Sequence, residues 1–140
     1  MKDYLFAYGT LISGSENSRI DHSIKVNCID LGPAHIRAKL YDLGYFPGAI
    51  PSPSPQHLVH GRLLRIAEPK TTFALLDQYE AYIPNQPNKS EFVRSQTTVY
   101  TDNTTKQLTA WVYWYNHKPP YFATAIESGD YEKYLLSKKN

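Results

Sequence analysis

The sequence predicts an α+β fold: a small, mostly antiparallel β-barrel of about six strands with flanking helices, formed by residues 1–140 as a single domain. Three observations predict it. Short runs rich in aromatic and β-branched residues recur along the chain, separated by Gly, Pro, Asn and Asp. The run Gln107 to Tyr115 is bulky on both faces, with Trp111, Tyr113 and Tyr115 on one and Ala110, Val112 and Trp114 on the other. Such a strand belongs inside a small barrel or beneath a helix, because a solvated edge would leave one face wet. Only one long segment, from Pro69, carries apolar side chains at helical spacing. A chain of 140 residues suits one hydrophobic core.

Taken in order, Tyr4 to Tyr8 reads as a first strand ended by Gly9-Thr10-Leu11, and the polar stretch through Ser13-Gly14-Ser15 to His22 as a turn with a short helix. Ile24 to Leu31 alternates weakly and predicts a second strand. Gly32-Pro33 punctuates it, and Ala34 to Asp42 continues the β pattern. Four of the ten prolines lie between Pro47 and Pro55, a run that can be neither helix nor central strand and reads as an extended surface loop near a cleft mouth. His57 to Ile66 is the next strand. The principal helix starts at Pro69, where a first-turn residue needs no N–H, and Pro84 to Asn88 breaks the chain after it. Phe92 to Tyr100 and Gln107 to Tyr115 pair as a hairpin across Thr101 to Lys106. Pro119-Pro120-Tyr121 forms an elbow, and Ser128-Gly129-Asp130 opens a short terminal helix carrying Tyr131, Tyr134 and Leu135.

Fifteen basic and thirteen acidic residues leave a net charge of +2, too even a balance for a polyanionic partner, so no nucleic acid is expected. A single cysteine, Cys28, excludes an intramolecular disulfide and fits a reducing compartment. No run approaches the ~20 apolar residues of a membrane helix, and the N-terminus lacks a signal-peptide core, so a cytoplasmic location is expected. The sequence does not fix oligomeric state.

Several catalytic schemes have no counterpart. There is no nucleophile elbow, no zinc-binding helix motif and no phosphate loop, and the five histidines are scattered, so no metal or cofactor is expected. Cys28 lies in an apolar setting and reads as a packed thiol. What stands out is Glu80. Phe73, Leu76 and Glu80 fall at i, i+3 and i+7, so Glu80 returns to within roughly 20° of Phe73 on the apolar stripe. A carboxylate there loses hydration, which raises its pKa toward the range useful for moving protons near neutrality; an ion-paired Glu at a frayed helix end is the alternative. Gly9, directly after a strand, exposes consecutive backbone amides that can hold an anion, although the turn taken alone favours a plain strand-ending glycine. Twelve tyrosines add hydroxyls that need partners.

Phe6-Ala7-Tyr8-Gly9-Thr10-Leu11, Leu40 to Gly44 with Pro47-Gly48, Leu76 to Tyr82 and Ala110-Trp111-Val112-Tyr113 together resemble the gamma-glutamylcyclotransferase-like family, in the family's order and over residues 4 to about 134. The resemblance implies a β-barrel with flanking helices and a reaction in which a gamma-glutamyl amide closes on itself, giving 5-oxoproline and a free amine. It implies that Glu80 is the general acid/base, that Tyr8, Gly9, Thr10 and Leu11 hold the substrate's α-carboxylate, and that Tyr121 contacts substrate. Arg94 matches a recurrent position and is expected to be a structural ion-pair partner. Three positions depart from the family pattern: Ala81 stands where many members have glycine, Pro51 to Pro55 looks like an enlarged loop at the pocket mouth, and Arg62 replaces a common acidic residue. The alternatives are a non-catalytic binding protein for a glutamate-like ligand, and an OB-like module stacking single strands on its tyrosines, which the even charge opposes.

Overall fold

The computed structural model describes residues 3–13, 17–104 and 106–138. Its elements are β1 (Asp3–Ala7), α1 (Thr10–Ser13), α2 (Ser18–Asn27), β2 (Cys28–Asp42), β3 (Pro47–Pro51), β4 (Leu58–Ile66), α3 (Pro69–Tyr79), a single 3-10 turn (Pro87–Lys89), β5 (Phe92–Thr101), β6 (Gln107–Tyr115), β7 (Thr124–Ala125) and α4 (Tyr131–Lys138). The expected turn at 14–16 lies outside the described residues.

Five strands close into a barrel in the order β2-β4-β1-β6-β5, and β5 returns to β2 through Ala34↔Thr101 and His35↔Tyr100. All of these pairings are antiparallel except β1 with β6, which is parallel at Leu5↔Trp111, so the sheet is mixed. Closure protects strand edges that an open sheet would leave unpaired. β2 does two jobs along its fifteen residues. Its register against β4 shifts between Asp30 and Pro33, where Gly32 adopts φ +108, and its later residues leave the barrel to pair with β3 and β7.

The doubly bulky β6 is explained by two cores. Ala110, Val112 and Trp114 fill the barrel interior with Phe6, Ile36, Val59 and Leu63. Tyr113, flanked by Trp111 and Tyr115, packs on the outer face with Leu5, Ile20, Phe73, Leu76 and Phe92 beneath α2 and α3. Neighbouring residues of β1 divide in the same way, Phe6 inward and Leu5 and Ala7 outward.

Two sequence expectations are corrected. Ile24 to Asn27 belongs to α2: Asn17 caps that helix by accepting from the Arg19 and Ile20 N–H groups, and Ile20 and Ile24, four apart, turn to the outer core. Pro47–Pro51 is a strand rather than a loop. Among the described residues it pairs only with β2, as the sheet's edge, where prolines cost no ladder bond on the unpaired side. Among the described residues no helix is long and apolar enough to cross a membrane.

Candidate active site

Where β1 ends and α3 ends, the two approach each other around a cavity of about 410 Å³. Tyr8, Gly9, Thr10 and Leu11 line one side; Tyr79, Glu80 and Ala81 line another, and Phe6, Phe46, Pro47 and Phe92 supply apolar wall. This volume lies in the range of small-molecule sites.

The turn after β1 is fixed from both sides. The Tyr8 hydroxyl donates to the Tyr113 carbonyl at 2.6 Å and accepts from the Ala49 N–H at 3.2 Å, tying the turn to β6 and β3. Gly9 is sterically required, because a Cβ there would lie 2.7 Å from Cγ of Pro47. The Thr10 hydroxyl meets the Tyr79 hydroxyl at 2.9 Å and so links the turn to the last residue of α3.

Glu80 caps the C-terminus of α3. The Ala81 N–H donates to the Gln78 carbonyl and the Tyr82 N–H to the Asp77 carbonyl, and Ala81 has φ +54. This is a Schellman ending built with alanine where glycine is the strain-free choice. The helix therefore stops at Glu80, and its side chain is aimed by the cap into the cavity. Among the described residues nothing hydrogen-bonds the Glu80 carboxylate, and its burial pushes its pKa up to about 8. Burial and the nearby Glu80 together hold the Tyr8 phenol well above its ordinary range.

A second network braces this end of the helix from behind. Asp77 accepts from Arg94 at 2.8 and 3.1 Å and from the Tyr113 hydroxyl at 2.7 Å. The Arg94 guanidinium lies over Phe73 and Trp111, at 4.2 and 4.6 Å from their ring centres. Arg94 is thus the ion-pair partner expected of it. A larger and shallower hollow of about 740 Å³ opens over this network, but its deep charges, Asp77 and Arg94, already satisfy each other.

The structure brings together Glu80, Tyr8, Gly9, Thr10 and Leu11, and leaves Tyr121 out. Tyr121 is fully exposed and touches Phe122 edge-on. The reason is local: Pro119 and Pro120 donate no ladder bonds, and the Ala123 N–H closes a turn on the Pro120 carbonyl that directs Tyr121 into solvent. The segment Ser52 to Pro55 also misses the cavity, whose wall comes instead from Phe46 and Pro47. Arg62 is a half-exposed surface partner of Asp30, at 3.0 Å. Cys28 is half-buried, which pushes its thiol up to about 11.

Two participants escaped the sequence reading. Glu91 also lines the cavity, but it precedes β5 in an irregular stretch with no periodicity to flag it. Asp77 had a usable signal, since it lies four residues after Phe73 on the same helix face. Among the described residues no three His, Cys, Asp or Glu side chains gather as a metal-binding group.

The sequence model of the family described as "Gamma-glutamyl cyclotransferase, AIG2-like" matches residues 5–133. No curated protein matches the chain. Among solved structures, an uncharacterized protein from Pyrococcus horikoshii aligns over 98% of this chain and 96% of its own at 20% identity, with a TM-score of 0.64. An AIG2-like protein from Mus musculus aligns over 90% and 86% at 20% identity, with a TM-score of 0.67. YkqA from Bacillus subtilis aligns over all of this chain and 44% of its own at 24% identity, with a TM-score of 0.69. At these identities the likenesses establish the fold.

Proposed function

Because the chain belongs to the gamma-glutamyl cyclotransferase, AIG2-like family, we propose that it converts a gamma-glutamyl amine or amide into 5-oxoproline and the free amine, with Glu80 as the proton carrier. The observation that carries this reading is a half-buried carboxylate, without a hydrogen-bond partner among the described residues, lining the same cavity as a glycine turn.

In the proposed mechanism the backbone amides of Tyr8 to Leu11 receive the substrate's α-carboxylate. The α-ammonium comes to Glu80, whose ionised form is favoured by that positive charge. Glu80 takes one proton, and the freed amine attacks the carbonyl carbon at the end of the same side chain. As the amide C–N bond then breaks, the ring nitrogen gives up a second proton and protonated Glu80 returns the first, so that the departing nitrogen takes both and leaves as an ammonium. Ring closure is intramolecular, so the protein contributes mainly by holding the chain folded, an effect worth up to about 7–11 kcal/mol in well-oriented systems. No protein nucleophile is required, and Tyr121 has no part in this scheme.

The test is to incubate the purified protein with a panel of gamma-glutamyl amines, amides and dipeptides and to follow 5-oxoproline by mass spectrometry. Glu80→Gln should fold and lose at least about 100-fold in rate. A wild-type rate in that variant removes Glu80 from the mechanism. Saturable binding across the panel without turnover supports a binding protein instead.

A further inference from the structure

We infer that the outer face of the barrel carries a binding site for a divalent transition metal of the Zn²⁺ or Cu²⁺ class, ligated by the imidazoles of His35 and His60 with Asp102 behind His35. The site stands apart from the cyclotransferase reading above.

The first observation is that the fold sets the two rings side by side. Ala34 and Ile36 of β2 and Val59 of β4 point into the barrel, so alternation along each strand turns His35 and His60 outward. The antiparallel register places them directly opposite each other, with ring centres 6.0 Å apart. Two imidazoles bound at about 2.0–2.1 Å to one tetrahedral metal have centres about 5–5.5 Å apart, so a closing movement of under about 1 Å suffices.

The second observation is how His35 is prepared. Its Nδ1 lies 2.7 Å from Oδ1 of Asp102. An ionised carboxylate only accepts, so Nδ1 carries the proton and Nε2 keeps the lone pair that a metal needs. A carboxylate behind the imidazole is the usual support of a metal-bound histidine, because it fixes the tautomer and raises the basicity of the other nitrogen. Asp102 is itself held by its backbone, whose N–H donates to the Pro33 carbonyl at 3.0 Å. Tyr100, opposite His35 on β5, stacks on its ring at 5.4 Å and 16°. His60 makes no ring hydrogen bond among the described residues and is free to turn toward a metal. Arg37, the next outward residue of β2, has its guanidinium over the Tyr100 ring at 5.3 Å, which gives that charge a partner other than the imidazoles.

The third observation is where the pair sits. The barrel closes where β5 meets β2 through Ala34↔Thr101 and His35↔Tyr100, a short junction beside the long β2–β4 and β5–β6 ladders. A metal on His35 and His60 ties β2 to β4, and Asp102 extends the tie to the turn after β5. Two imidazoles with water completing the coordination suit Zn²⁺ or Cu²⁺ and not Mg²⁺ or Ca²⁺, which take oxygen ligands. None of the three residues lines the cavity at Glu80, so metal uptake and turnover are separate properties.

The experiment titrates metal-free protein with Zn²⁺ by calorimetry while the histidine ring resonances are followed by NMR, and counts bound nitrogens by EPR in a parallel Cu²⁺ titration. Wild type should bind Zn²⁺ saturably, with the His35 and His60 resonances moving together, and its Tm should rise with Zn²⁺ and not with Mg²⁺. Asp102→Asn should weaken Zn²⁺ binding about tenfold or more. His60→Asn should abolish it, and His117→Asn, beyond the far end of the β5–β6 hairpin, should leave it intact. Absence of saturable uptake, uptake unchanged by His60→Asn, or resonance shifts confined to other histidines overturns the inference. Should a variant fail to fold, the wild-type spectra decide: coordination by the His35 and His60 nitrogens supports the site, and a single nitrogen or none overturns it.

Discussion

Replacing Glu80 with glutamine should make the protein more stable, and increasingly so as the pH rises. In the folded chain burial raises the Glu80 pKa to about 8, from an ordinary value of 4.5. The folded state thus holds a proton that the unfolded chain has already released. Below the unfolded pKa both states are protonated and the group is neutral to stability. Between about pH 4.5 and 8 the folded state loses about 1.4 kcal/mol per pH unit relative to the unfolded chain, and above 8 the loss is complete. Carried through the whole shift this is about 5 kcal/mol, and water reaching the cavity side of the carboxylate lowers it to about 2–3 kcal/mol. Glutamine keeps the shape and removes the titration. The assay is urea unfolding of both proteins from about pH 5 to 9, with the midpoint converted at constant m. The two stabilities should be close at the acid end and diverge by about 2–3 kcal/mol in favour of Glu80→Gln at the alkaline end. Parallel curves, or divergence in the opposite sense, would refute the argument that folding desolvates Glu80.

Three further outcomes follow from the same geometry. Ala81→Gly should stabilise the chain by about 0.5–1 kcal/mol, because φ +54 strains an alanine and not a glycine; a loss of stability in thermal melts would show that the helix ending is otherwise determined. Arg94→Met should cost about 3 kcal/mol by leaving buried Asp77 without its cation, and a double-mutant cycle with Asp77→Asn should recover much of that loss. For the proposed reaction, kcat/KM should climb about tenfold per pH unit from pH 6 toward the Glu80 pKa of about 8 and then level; a flat profile over that range contradicts Glu80 as the base.

Glu80 and the glycine turn were legible in the sequence because each depends on neighbours only a few residues away. Helical spacing put Glu80 among apolar side chains, and a strand ending in Gly9 marked a tight backbone approach. The hairpin of β5 and β6 was legible for the same reason, since alternation over nine residues and a polar turn specify it locally. The misread segments were those where a local signal competed with a distant partner. Ile24 to Asn27 looks β-like until Asn17 caps a helix over it, and Pro47–Pro51 looks like a loop until β2 accepts it along an edge.

Composition, periodicity and turn chemistry by themselves determined a small barrel, its principal helix and the acid carried on that helix, because these are properties of short stretches of chain. Only the tertiary structure decided what that acid faces. It brought Glu91 from the start of β5 to the same cavity, sent Tyr121 into solvent and tied Asp77 to Arg94 and Tyr113. The physical reason is that charge, burial and hydrogen bonding depend on distances in space between residues tens of positions apart, and those distances exist only once the barrel has closed.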